Sequence, residues 1–168
     1  METIVQNTED KTEMIVLFFS GSYLSNFHKC TFIVDGVRFT SNEQFFHYRK
    51  ALLFNDRKSM AKILATNNPK EQKLLGRKVI NYDEKKWAFE CYNVMKQGLY
   101  AKFDQNPILK ERLLSISNAR FAEASPYDKK WGIGIRSDHP NAATPSKWLG
   151  DNILGKALTE VRDILKGT

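Results

Sequence analysis

The pair Asp35-Gly36 places the first firm constraint on this chain. Two short apolar runs, Thr31–Val34 and Val37–Thr40, flank it, and a two-residue Asp-Gly connection is a strong hairpin signal. A helix signal follows at once. Ser41 with Gln44 three residues later reads as a capping box, and Phe45, Phe46, Leu52 and Leu53 supply apolar bulk. A strand pair that feeds directly into a capped helix points to a mixed α and β chain.

The other elements extend this pattern. Ile15–Phe19 reads as a buried strand, and the polar residues 1–13 before it are expected to be a flexible N-terminus. Arg57–Ala65 reads as a helix. Asn68 caps the next one, with Pro69 at its first position, Glu71 completing a box and Gly76 ending it. Asp83 caps a long helix through Phe103, whose Trp87, Cys91, Val94, Met95 and Leu99 recur at helical spacing. Asn106-Pro107 opens another helix through Ile116. Phe121–Ala124 and Ile133–Arg136 read as short extended pieces. The last helix buries Ile153, Leu154, Ala157, Leu158, Val161, Ile164 and Leu165, with Asp151 or Asn152 as its cap. The expected fold class is α+β: a mostly helical single domain, residues 14–168, with a small antiparallel sheet.

Composition narrows the partners. The 26 basic and 19 acidic residues leave a net charge of +7, which favours an anionic partner such as a nucleotide, a phosphate or a nucleic acid. The charge is spread along the chain, so nucleic-acid binding is permitted by it and not demonstrated. No apolar run approaches the ~20 residues of a membrane span, so no membrane partner is expected. Cys30 and Cys91 form neither a disulfide framework nor a Cys-x-x-Cys pair, so no metal site is expected. The start of the chain lacks the pattern of a secretory signal, and a reducing, cytoplasmic setting fits.

Two stretches carry chemistry. Ser125–Gly134 reads Ser-Pro-Tyr-Asp-Lys-Lys-Trp-Gly-Ile-Gly, a constrained turn with a carboxylate, two cations and two aromatics. It suits a site for a flat polar ligand, or a surface turn that Trp131 anchors and Asp128 caps. Glu43, His47 and Lys50 are spaced i, i+4, i+7 and share one stripe of the first helix. They form a site or an exposed charge ladder. Asn26 caps backbone or binds a ligand, and the free N–H groups at the start of the last helix could receive an anion.

The motifs come in a familiar order. Leu24-Ser-Asn-Phe27 precedes the hairpin, and Ser41-Asn-Glu-Gln44 opens a helix that reaches Lys50-Ala51. Leu75-Gly-Arg77, Trp87, Val94-Met95 and Lys102-Phe103-Asp-Gln-Asn-Pro107 follow. Glu123-Ala-Ser-Pro-Tyr-Asp128 runs into Trp131-Gly-Ile-Gly134, and Trp148-Leu-Gly-Asp-Asn-Ile-Leu-Gly155 leads into the last helix. Together these resemble the NADAR family, also called YbiA-like, from about Phe18 to Leu165. The chain departs from the family pattern at Gln44, where a histidine is common.

The resemblance implies an N-glycosidase that hydrolyses a ribosyl C1′–N bond and needs no cofactor. The first substrate it implies is ADP-ribosylated guanine in nucleic acid. Ribosylaminopyrimidine phosphates of early riboflavin synthesis are the alternative, and a module that binds ADP-ribose without cleaving it is the third reading. Glu43 is implied as the main catalytic carboxylate. Asp128 would bind ribose hydroxyls or share the acid–base role. Lys50 would either attack C1′ through a Schiff base or pair with Glu43. Trp87, Tyr127 and Trp131 would stack on the base or wall off water. Asn26 and Asn152 would offer amides, Arg77 would meet phosphate, and Phe27, His47 and Gly132 would complete the pocket. The partner is then ADP-ribosylated nucleic acid or a ribosyl nucleotide, and a monomer is the favoured state.

Overall fold

A computed structural model describes residues 1–168. The class is α+β, mostly helical, with six α-helices and two small sheets. The chain divides into two compact units, Met1–Ser25 with Glu111–Thr168, and Asn26–Lys110. The helix α5, Pro107–Ser115, runs from the end of the second into the first.

The first unit is built on a three-stranded sheet of β1 (Glu2–Gln6), β2 (Met14–Phe18) and β5 (Ala119–Glu123), in the order β1-β2-β5. β1 pairs antiparallel with β2, and β2 pairs in parallel with β5. The sheet is therefore mixed, where an antiparallel one was expected. Residues 1–13 are also corrected: they are not a flexible tail. β1 is an edge strand whose Val5 packs on the core, and Asp10 closes the turn after it by accepting from the backbone and hydroxyl of Thr12. An edge strand with one half-buried face carries too few apolar residues to announce itself in sequence.

Ile15, Leu17 and Ala122 bury one face of the sheet with Ala124, Ile133, Ile135 and Ala142. The helix α6 (Ile153–Lys166) packs on β5 and covers the opposite face, where Arg162 lies 5.2 Å from the Phe121 ring. Cover on both faces explains why β2 reads as an unbroken apolar run. Ile133–Arg136 does not form the expected strand. Gly134, at φ 76°, breaks the extension, and the Ile133 carbonyl accepts from Leu149 and Gly150 instead.

In the second unit the hairpin forms as read, with β3 (Phe32–Val34) and β4 (Val37–Phe39) joined by Asp35 and Gly36, both at positive φ. Two left-handed residues are what a two-residue turn of matching twist demands. Phe32, Phe39 and Phe45 form one aromatic cluster, with centroids 5.1–5.9 Å apart. That cluster seats the hairpin against α1 (Asn42–Leu53). Around α1 lie α2 (Arg57–Leu64), α3 (Pro69–Gly76) and α4 (Glu84–Asp104).

Both N-caps form, but the two expected capping boxes do not close. Ser41 Oγ accepts from the Gln44 N–H at 3.0 Å, but Gln44 Oε1 returns to Thr40 N–H, not to Ser41. Gln44 is buried and its amide nitrogen already donates to the Ile63 and Thr66 carbonyls, which turns Oε1 toward the hairpin. Likewise Glu71 accepts from the Thr66 hydroxyl, and Asn68 N–H goes to Thr66 Oγ1.

Candidate active site

Glu43 sits in the first turn of α1, where unpaired backbone N–H groups favour a negative charge. Its own N–H donates to the Asn26 carbonyl at 3.1 Å. His47, one turn on, brings Nε2 to 2.8 Å from Glu43 Oε1, and both side chains are nearly buried. The stripe is therefore not an exposed charge ladder at this end. His47 fills the space beside Gly76, where any Cβ would overlap its ring. Gly76, read in sequence only as a helix stop, is the last helical residue of α3 and serves this close approach.

Lys50 continues the stripe but makes no ion pair with Glu43. Its ammonium lies 4.6 Å from the Tyr82 ring centroid. Burial, and then the nearby Arg77 charge, hold its pKa below the ordinary lysine value. Trp87 is buried with its ring 5.0 Å from Phe46, and the Lys73 ammonium lies 5.9 Å from the Phe27 ring. Asn26 points its amide inward: Oδ1 accepts from Asn42 Nδ2 at 2.8 Å, and Nδ2 approaches Met95 Sδ. The second unit thus gathers Asn26, Glu43, His47 and Lys50 on and around α1, with Arg77 close enough to act on Lys50.

In the first unit, Asp128 Oδ1 accepts from the backbone N–H groups of Lys130 and Trp131, the capping role weighed for it. Tyr127 stands 86% exposed, and Trp131 is half-buried with the Lys130 ammonium 5.5 Å from its ring. Gly132 is buried where a Cβ would press on the Glu123 and Asp128 carbonyls. Asn152 occupies the N-cap place of α6 in the left-handed region, φ 53°, yet makes no cap bond. Its amide instead joins α6 to β5, accepting from Glu123 N–H at 3.2 Å and donating to the Phe121 carbonyl at 2.8 Å. A cleft of about 790 Å³ runs along α6 past Arg120, Trp148, Lys156 and Arg162, with Asn152 on its wall.

Sequence reasoning gave no role to Tyr82 or to the paired use of Gly76 and His47. It also quoted Lys102 without assigning it anything. Lys102 is fully buried, which pushes its pKa down to about 8 although Cys30 opposes the shift. The signal for Lys102 was present: a lysine inside the apolar stripe of a long helix. No cluster of three or more His, Cys, Asp or Glu side chains is gathered for a metal ion. No helix is long and apolar enough to cross a membrane.

The comparisons agree on one family. The NADAR domain model matches residues 18–166. The chain is 35% identical to protein irg-1 of Caenorhabditis elegans, over 98% of this chain and 86% of that one. It is 35% identical to N-glycosidase R617 of Acanthamoeba polyphaga mimivirus, over 92% and 91%. Escherichia coli N-glycosidase YbiA is 30% identical over 91% and 89%. The NMR structure of YbiA superposes with a TM-score of 0.75 at 28% identity, covering 96% of this chain and 87% of that chain.

Proposed function

We propose, for a chain that belongs to the NADAR domain family and is an N-glycosidase, that the bond it hydrolyses joins ADP-ribose to guanine in nucleic acid. The observation that carries the mechanism is Glu43, a nearly buried carboxylate whose one oxygen is held by His47 while the other makes no protein hydrogen bond.

Breaking a ribosyl C1′–N bond leaves positive charge on the sugar ring and sends the bonding pair to the base nitrogen. Glu43 stabilises that developing charge and takes a proton from the attacking water. The water oxygen bonds to C1′, and the departing base nitrogen gains a proton. Arg77 and the excess of basic residues suit a phosphate-bearing substrate.

Lys50 supports a covalent variant. A half-buried amine with a lowered pKa is more often unprotonated than an exposed one, and an unprotonated amine can attack C1′, expel the base and form a Schiff base with the opened ribose. Water then releases the sugar and restores the amine.

The test is an N-glycosidase assay on single-stranded DNA carrying ADP-ribosylated guanine, beside a pyrimidine ribosylamine phosphate, with wild type and Glu43→Gln. Release of ADP-ribose that vanishes in the variant is the expected result. Turnover of the ribosylamine alone would replace the nucleic-acid substrate with the metabolic one. Tight binding of ADP-ribosylated DNA with no turnover of either would remove the proposed reaction.

A further inference from the structure

We propose that His47 is a positioning residue for Glu43, and that Gly76 is the space reserved for it. The proposal rests on the reading of Glu43 as the carboxylate at the reacting carbon.

The His47 ring is enclosed. Nε2 meets Glu43 Oε1 at 2.8 Å, and the ring stands edge-on to Phe46 at 5.3 Å. Its far edge, at Nδ1 and Cγ, fills the place where a Cβ of residue 76 would stand. Nδ1 is buried and has no hydrogen-bond partner. A proton on Nδ1 would be a buried donor with no acceptor, whereas a bare lone pair there loses less. The imidazole proton therefore belongs on Nε2, where it is donated to Glu43.

This arrangement decides what each group can do. Glu43 accepts through Oε1 and cannot turn, so it presents Oε2 to the substrate. His47 has one nitrogen on Glu43 and the other against the α3 backbone, so it neither holds substrate nor carries a proton to it. It acts through Glu43 alone. Gly76 is what allows the ring that depth: with alanine there, the imidazole has to leave its place and Glu43 loses its donor.

The test compares His47→Gln, which keeps volume and an N–H donor, with His47→Met, which keeps volume without the donor, and adds Gly76→Ala. Substrates are the ADP-ribosylated guanine oligonucleotide and the ribosylamine phosphate. His47→Met and Gly76→Ala should lower kcat by about 10²-fold with KM little changed, as expected for a misplaced reacting group. His47→Gln should restore most of it. A His47→Met enzyme as fast as wild type overturns the proposal, and so does a His47→Gln enzyme as slow as His47→Met, since the imidazole itself would then be needed. Full activity in Glu43→Gln would instead sink the reading of Glu43. A readout independent of turnover is the ¹⁵N histidine spectrum, with the His47 signal identified by its loss in His47→Gln. A ring protonated on Nε2 is expected, and a ring protonated on Nδ1 alone overturns the proposal.

Discussion

Glu43 and His47, one helical turn apart on α1, are joined side chain to side chain at 2.8 Å in a setting almost closed to solvent. On an exposed helix such a pair contributes a few tenths of a kcal/mol. Here it fixes the orientation of the one carboxylate on α1, with Oε1 held on His47.

Replacing that carboxylate with its amide isostere tests the arrangement. Glu43→Gln should fold normally and lose about 10²–10⁴ in kcat, the range for a removed base or charge-stabilising group. Thermal melting beside steady-state kinetics checks both halves.

Lys50 makes a prediction with a sign. Its pKa is lowered by burial and then by Arg77. If its amine attacks C1′, turnover rises with pH through that lowered pKa. Arg77→Ala removes a repelling charge, makes protonation easier, and should move the rising limb to higher pH. Borohydride added during turnover should trap the ribosyl fragment on wild type and not on Lys50→Arg, as read by intact mass. A clean mass during productive turnover would leave direct hydrolysis by water.

Lys102 ties stability to pH. Burial lowers its pKa to about 8 from an ordinary 10.5. Below pH 8 its full cost of burial as a cation is present. Between those two values the unfolded chain binds the extra proton, so this group makes stability rise with pH until the cost is gone. Lys102→Met lacks that slope. The stability of the variant relative to wild type should fall by up to about 3 kcal/mol from pH 7 to 10.5. Denaturant melts at several pH values measure it, and a constant difference would contradict the assignment.

Asn152 separates a structural amide from a substrate contact. Asn152→Ala loses two hydrogen bonds to β5 and places alanine at φ 53°, so stability should fall by about 2–4 kcal/mol. Asn152→Gly removes the backbone strain and should recover only part of that loss. Unchanged denaturation midpoints in both would return Asn152 to the list of ligand contacts.

Short-range chemistry was legible in the residues. Asp35-Gly36, the Ser41, Asn68 and Asp83 caps and the periodicity of α4 and α6 all depend on neighbours within a turn or two, and each formed. The mostly helical α+β class follows from their order. What escaped depends on partners distant in the chain. β1 became a strand because β2 offers it an edge, and β5 lies parallel because the intervening chain returns it to the same end of β2. Ile133–Arg136 failed as a strand because Gly134 bends it toward the loop at Leu149–Gly150.

The candidate site divides in the same way. Helical spacing placed Glu43, His47 and Lys50 on one stripe, since an α-helix sets that geometry by itself. Only the tertiary structure separated their roles. Gly76, brought in by α3, makes room for His47 against Glu43, while Lys50, two turns from Glu43, lies over the Tyr82 ring. Asn26 and Asn152 look alike in sequence as polar loop residues, yet packing turns each amide toward backbone or buried neighbours. The reason is physical: a side chain's identity fixes which bonds it can make, but burial and the nearest unsatisfied partner decide which it does make, and both are properties of the folded chain.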